Sequence, residues 1–348
     1  MSIDSDPSAS AAAHSAEVCR EFAALRASDT AWAGGKGANL GELTSIGMPV
    51  PPGFVIGATA FAGFCDETGL RARLAQLLAG VDVEDDDALR DAADAARAAI
   101  DATAVPDSIA RAIEQSYARL RGGEDAMPVA VRSSATAEDT AAASFAGMHD
   151  TFLNVHGLEA LVRAVRNCWS SLYSPRTIYY RARQGMNDAG MDIAVVVQRQ
   201  LVAKRSGVMF TIDPATGRDD TLVIEASFGL GEAVVSGSVS PDHYVIDKRG
   251  PALAEREVRR KEMVIEALPS GGTERRELGE LEGLRAAITD DEAIELARLG
   301  LRIEEHYGRP QDIEWVFDNA GAAWIVQSRP VTVAAPSAEA EAAAAASA

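Results

Sequence analysis

Pro310-Gln311-Asp312-Ile313-Glu314-Trp315-Val316-Phe317, then Asp318-Asn319-Ala320-Gly321, then Ala322-Ala323-Trp324-Ile325-Val326-Gln327-Ser328-Arg329-Pro330-Val331-Thr332, reads as a β-hairpin. Two runs rich in Ile, Val, Phe and Trp flank a turn signal. With the turn centred between Ala320 and Gly321, Glu314 lies across from Gln327 and Asp312 across from Arg329. Side chains alternate between faces, so these four polar groups share one face. Trp315, Phe317, Trp324 and Val326 are then expected on the other, core-facing side. Two carboxylates, an amide and a guanidinium are costly to bury unless they are paired or bind something. Carboxylate and amide oxygens suit Mg²⁺, and an Arg beside them suits a phosphate. The alternative is a salt-bridged edge hairpin.

Working outward, 348 residues suggest about two domains. With 47% hydrophobic residues the chain can bury a sizeable core. A net charge of -19 argues against a nucleic-acid backbone or an anionic membrane as main partner. Phosphate sites are local, so nucleotide binding stays open. Cys19, Cys65 and Cys168 are scattered, with no C-x-x-C, and read as buried inert thiols rather than a zinc site or a disulfide framework. No apolar run approaches the roughly 20 residues of a membrane span. The N-terminus lacks signal-peptide character, and the reading is a cytoplasmic protein.

Trp32-Ala33-Gly34-Gly35-Lys36-Gly37-Ala38-Asn39-Leu40-Gly41 is a glycine-rich turn running into a helix. Backbone N–H groups there, with the helix dipole, favour an anion, and Lys36 could supply countercharge. Gly37 follows the Lys, so this is not a Walker A loop. A glycine-rich helix start with a solvated Lys is the plainer possibility. Residues 59–121 read as Ala-rich amphipathic helices, and Leu158 to Tyr173 as another. Between them Val129-Ala130-Val131-Arg132-Ser133-Ser134-Ala135 is a strand ending in an Arg and hydroxyls. It leads to Ser144-Phe145-Ala146-Gly147 and Thr151. That pattern suits a loop over phosphates, or an ST-rich turn joining two strands.

Met191 to Val197 is a buried strand closed by Gln198. Further strands are expected at 206–211, 222–226 and 244–246, with a glycine loop at Gly229-Leu230-Gly231-Glu232. Residues 247–289 read as charged and irregular, and Asp290 to His306 as a helix with Asp290 near its N-cap. His306 at that helix's end is expected to complement its dipole. Residues 1–15 are expected to be a disordered tail, and 334–348 an Ala-rich tail.

Together, Gly34–Gly41, Val131–Ala135, Ser144–Gly147 and Gln327-Ser328-Arg329-Pro330 resemble the ATP-grasp nucleotide-binding domain of the phosphoenolpyruvate synthase, pyruvate phosphate dikinase and rifampicin phosphotransferase family. The resemblance runs from about Cys19 to Thr332. It implies an α/β (α+β) two-lobed ATP-grasp fold with nucleotide between the lobes. The N-terminal lobe would span 16–188 and the C-terminal lobe, with Gln198 and the hairpin, 189–333.

It also implies site roles. Lys36, Arg132 and Arg329 would be the catalytic phosphate-binding cations. Gly147 and Thr151 would belong to the phosphate-covering loop, and Gln198 would contact nucleotide. Asp312 would be a further acid of the site, with Glu314 and Gln327 as the Mg²⁺ pair. Glu225 falls where the family has another acid. Met148 departs from the family's usual glutamine.

The implied reaction passes the β-phosphoryl of ATP to a histidine on a swivelling domain, leaving AMP. None of His14, His149, His156, His243 and His306 has the family's Thr-Ser-His context, so the acceptor is expected on a separate polypeptide. The final acceptor could be pyruvate, a phenol or an antibiotic. A non-catalytic ATP-binding module, or a fragment of a longer enzyme, are the competing readings.

Overall fold

The computed structural model describes residues 18–125, 127–136, 150–185 and 192–331. Both expected tails, the Ser144–His149 stretch and Gly147 lie outside the described residues. Within them the chain is a mixed α+β protein built on two antiparallel sheets, in keeping with the expected class.

The first sheet has strand order β1-β2-β5-β3-β4, with β1 Cys19–Glu21, β2 Gly53–Ile56, β3 Val129–Ala135, β4 Thr151–Val155 and β5 Ile193–Arg199. Its central strand explains its coverage. Ile193, Val195 and Val197 point into one core, made by the helices Ala58–Thr68, Leu70–Leu78, Asp86–Ala102, Asp107–Arg121 and Gly157–Ser170. Trp169 stacks on Phe64 there, ring centroids 5.1 Å apart. Ala194 and Val196 point the other way, under the helix Thr30–Ser45. A continuous apolar run is what a strand covered on both faces requires. Cys65 and Cys168 are buried as expected, and burial pushes the Cys65 thiol up to about 12.

The second sheet runs β13-β12-β6-β7-β8-β9, with β6 Arg205–Phe210, β7 Thr221–Phe228, β8 Asp242–Asp247, β9 Ala252–Glu257, β12 Gln311–Phe317 and β13 Ala323–Pro330. One face is covered by the helix Asp290–Tyr307, whose Leu296, Ala297 and Ile303 share a core with Met209, Ile224, Tyr244 and Trp315. Thr289, one residue before the expected Asp290, is that helix's N-cap. Its hydroxyl accepts from the Glu292 N–H, and Glu292 reciprocates at the Thr289 N–H.

Two expectations need correction. β5 and Gln198 belong to the first sheet, paired with β2 and β3, so the sheets do not divide at 188–189. The chain passes between them after Arg199. Residues 247–289 are not irregular. They hold β9, the hairpin β10 Met263–Ala267 and β11 Thr273–Glu277, and the short helix Glu280–Gly283. His306 is the basic residue in the last turn of the helix Asp290–Tyr307, as expected, and it also bonds Glu42 through Nε2 at 2.8 Å.

The helix Thr30–Ser45 joins the two halves. Leu40 belongs to the core under the first sheet and Leu43 to that of the second. A backbone bond from Ile325 N–H to the Pro49 carbonyl, 2.8 Å, continues the tie just beyond it.

Candidate functional site

The β12–β13 hairpin turns at Asp318, whose carboxylate accepts from Ala320 and Ala322 N–H at 2.8 and 2.9 Å. Asp312 lies opposite Arg329 and Glu314 opposite Gln327, the expected register. Between Glu314 and Trp315 the pairing slips by one, leaving Val326 as a bulge residue. The core-facing residues of β13 are therefore Ala323 and Ile325, beside Trp315 and Phe317. The expected Trp324 and Val326 are only partly buried. A bulge has no fixed residue signature, and it re-aims whatever follows it.

That bulge matters to the site. Arg132, on β3 of the first sheet, reaches across to the hairpin. Its Nη1 donates to the Val326 carbonyl at 3.2 Å and its Nη2 to Glu314 Oε2 at 2.7 Å. The side chains are 12% and 18% exposed, so this charge-assisted bond is largely shielded from solvent. Two polar atoms here are buried with no hydrogen-bond partner among the described residues, the Arg132 Nε–H and the Gln327 Oε1. Buried polar groups are nearly always satisfied, so one donor and one acceptor flanking a carboxylate make this junction a candidate ligand site.

One row along the hairpin, Arg329 holds Asp312 through Nε at 2.9 Å and Nη2 at 2.8 Å. Burial pushes the Asp312 carboxyl above its usual range. Arg329 opposes this shift and the Glu314 charge adds to it.

The other described candidates lie on neighbouring elements. Thr151 is the cross-strand partner of Arg132 on β4. Gln198 is on the same face of the first sheet but 3% exposed, its Nε2 donating to the Pro51 carbonyl at 3.3 Å. Lys36 is half-buried on the helix Thr30–Ser45, just after a kink at Gly34. The expected cradle of free N–H groups is partly spoken for, since Gly37 N–H donates to Ser134 Oγ. Glu225 shares the face of Glu314 with Val208 between them.

A cavity of about 390 Å³ opens between the lobes, lined by Thr151, Arg163, Asn167, Glu232 and the turn around Gly271 and Gly272. Glu232 and the Val326 carbonyl escaped the reading of the sequence. The first carried only a glycine-loop signal, and the second is a backbone group aimed by a bulge.

Glu314 and the orphaned Gln327 oxygen fit a hard divalent cation. Among the described residues no group of three or more His, Cys, Asp or Glu could hold a metal. Two protein oxygens with phosphate and water completing the shell is how Mg²⁺ is commonly bound.

Two antiparallel sheets joined by an Arg–carboxylate contact define an α+β protein with a polar junction between them. The comparisons give the particular family. Residues 30–348 match the pyruvate phosphate dikinase AMP/ATP-binding domain, and the chain belongs to that family. It is 45% identical over 302 residues to a probable phosphoenolpyruvate synthase of Methanocaldococcus jannaschii, covering 86% of this chain and 25% of that protein. It is 45% identical over 313 residues to the probable phosphoenolpyruvate synthase of Methanothermobacter thermautotrophicus, covering 89% and 45%. It is 45% identical over 304 residues to a rifampicin phosphotransferase of Streptomyces sp, covering 87% and 34%. The chain thus spans less than half the length of these relatives. No helix among the described residues is long and apolar enough to cross a membrane.

Proposed function

We propose that this chain is the ATP-binding part of a phosphoenolpyruvate-synthase-like phosphotransferase of ATP-grasp type. It would pass the β-phosphoryl of ATP to a histidine on a separate swivelling domain, leaving AMP. The observation that carries the proposal is the Arg132–Glu314–Gln327 junction, where groups from two sheets converge on an orphaned acceptor. Little covalent chemistry falls to the protein in phosphoryl transfer, so rate comes from positioning and charge neutralisation.

Glu314 and Gln327 would hold Mg²⁺, which when bound neutralises phosphate charge. Lys36, Arg132 and Arg329 offset the rest. Arg132 exchanges its bond to Glu314 for one to phosphate. Gly147 and Thr151 cover the phosphates, Gln198 lines the nucleotide, and Asp312 holds Arg329 in place. Closure of the lobes excludes water from the transferring group. Of the three described histidines, His156 is hydrogen-bonded to Asn154 and His306 to Glu42. A split enzyme with a phenol or an antibiotic as final acceptor uses the same half-reaction.

Phosphorus NMR with MgATP, alone and with lysate fractions plus pyruvate, tests the proposal. AMP appearing only with a fraction that also yields a phosphohistidine protein is the expected result. Bound ATP that no fraction turns over would replace it with the non-catalytic binding module.

A further inference from the structure

We propose that Ser134 is a positioning residue that sets the place of Lys36 by acting as a wedge inside the helix Thr30–Ser45. In an unbroken α-helix the Gly37 N–H would donate to the carbonyl four residues back, that of Ala33. Here the Ser134 hydroxyl stands in that gap. Gly37 N–H donates to Ser134 Oγ at 3.2 Å, and Oγ donates onward to the Ala33 carbonyl at 2.9 Å. Ser134 is fully buried. A side chain inserted into the helical ladder is one of the few causes of a sharp kink.

The kink is at Gly34, with φ 67° and ψ 171°. Only glycine adopts that geometry without cost. A Cβ at Gly34 would also lie 2.2 Å from the Ser134 carbonyl oxygen. Lys36 falls between the kink and the wedged N–H. Ser134 is two residues beyond Arg132 on β3, hence on the same face. One strand therefore carries Arg132 and also the hydroxyl that locates the turn bearing Lys36. The spacing of two cations from different elements is referenced to a single rigid strand.

The inference rests on the reading of Lys36 as a phosphate ligand, and the test separates the two. MgATP affinity is measured calorimetrically on the full chain for wild type, Ser134→Ala, Lys36→Met and the double variant, with melting followed in each. Ser134→Ala is expected to weaken binding about tenfold in the wild-type background and less than twofold beside Lys36→Met, the coupling expected of residues acting through one another. Ser133→Ala, on the opposite face with its hydroxyl donating to the Asp150 carbonyl at 3.3 Å, leaves affinity unchanged. Equal losses from Ser134→Ala in both backgrounds overturn the wedge and leave the Lys36 assignment standing. Wild-type affinity in Lys36→Met overturns both. Should Ser134→Ala fail to melt cooperatively, Ser134→Cys is carried through the same cycle, with the same outcomes deciding.

Discussion

The two sheets pair their strands alike and differ in what covers them. The first is packed on both faces and sends a single charged group, Arg132, into the junction. The second is covered by a helix on one face; on the other, Val208 packs with Leu230, Ala233, Val234 and Ile265, and the hairpin carries Asp312, Glu314, Gln327 and Arg329. An ion in a doubly covered sheet has to find its counter-charge elsewhere, because an unpaired buried charge is prohibitively costly. Arg132 finds it across the cleft in Glu314. The hairpin end of the second sheet, beyond that second cluster, can gather several polar groups at less cost because they pair with one another. The division of labour follows: the first sheet supplies rigidity, and the second supplies a tunable polar surface.

The sharpest way to break this comparison is Glu314→Ala. It removes the counter-charge of Arg132 and one of the two oxygens offered to Mg²⁺. We expect Mg²⁺-dependent turnover with a phosphohistidine partner to fall by about a hundredfold or more. The far-ultraviolet circular dichroism stays native, because the pair lies outside both main cores. Turnover at the wild-type level would remove Glu314 from the site and leave the second sheet with no special role.

The two sheets were also unequally legible. The polar pairs of the hairpin could be read because a period of two and a recognisable turn determine which residues face each other. The bulge at Val326 could not, and it exchanged Trp324 and Val326 for Ala323 and Ile325 on the buried side. The run Ile193–Val197 announced a buried strand but not its sheet, since an apolar strand fits either, and the lobe boundary was misplaced as a result.

β9 and β11 hid for the opposite reason. Exposed strands held by ion pairs such as Arg276–Glu266, 3.0 Å, show no apolar alternation. Ser134 was visible only as one hydroxyl in a run. Its role depends on a contact with a helix 97 residues away in sequence.

A gentler cut separates the polar surface from the junction. Arg329 is 46% exposed but Asp312 only 13%, so Arg329→Ala lowers thermal stability above the Asp312 pKa, where the buried carboxylate loses its partner. ATP affinity should fall about tenfold, the loss of one charge-assisted phosphate contact, or about 1.4 kcal/mol. Calorimetric titration with MgATP checks it. Unchanged affinity would confine the working cations to Lys36 and Arg132 and shift the balance back toward the first sheet.

The smallest effect concerns the cost of keeping a carboxylate on the second sheet at all. Burial raises the Asp312 carboxyl above its ordinary value despite the neighbouring Arg329. A carboxyl with a raised native pKa binds its proton more tightly folded than unfolded. Its ionisation therefore lowers stability as pH climbs from about 3.9, the unfolded value, through the native one. Asp312→Asn has no such charge. Its melting temperature should approach that of wild type well below the unfolded value of about 3.9, where the aspartic acid is neutral in both states, and exceed it at pH 8. Melting across that pH range decides the matter. A variant less stable than wild type at pH 8 would mean that the bond to Arg329 outweighs the desolvation. The second sheet's polar face would then be stabilising in its own right, and the contrast with the first sheet would lose its energetic basis.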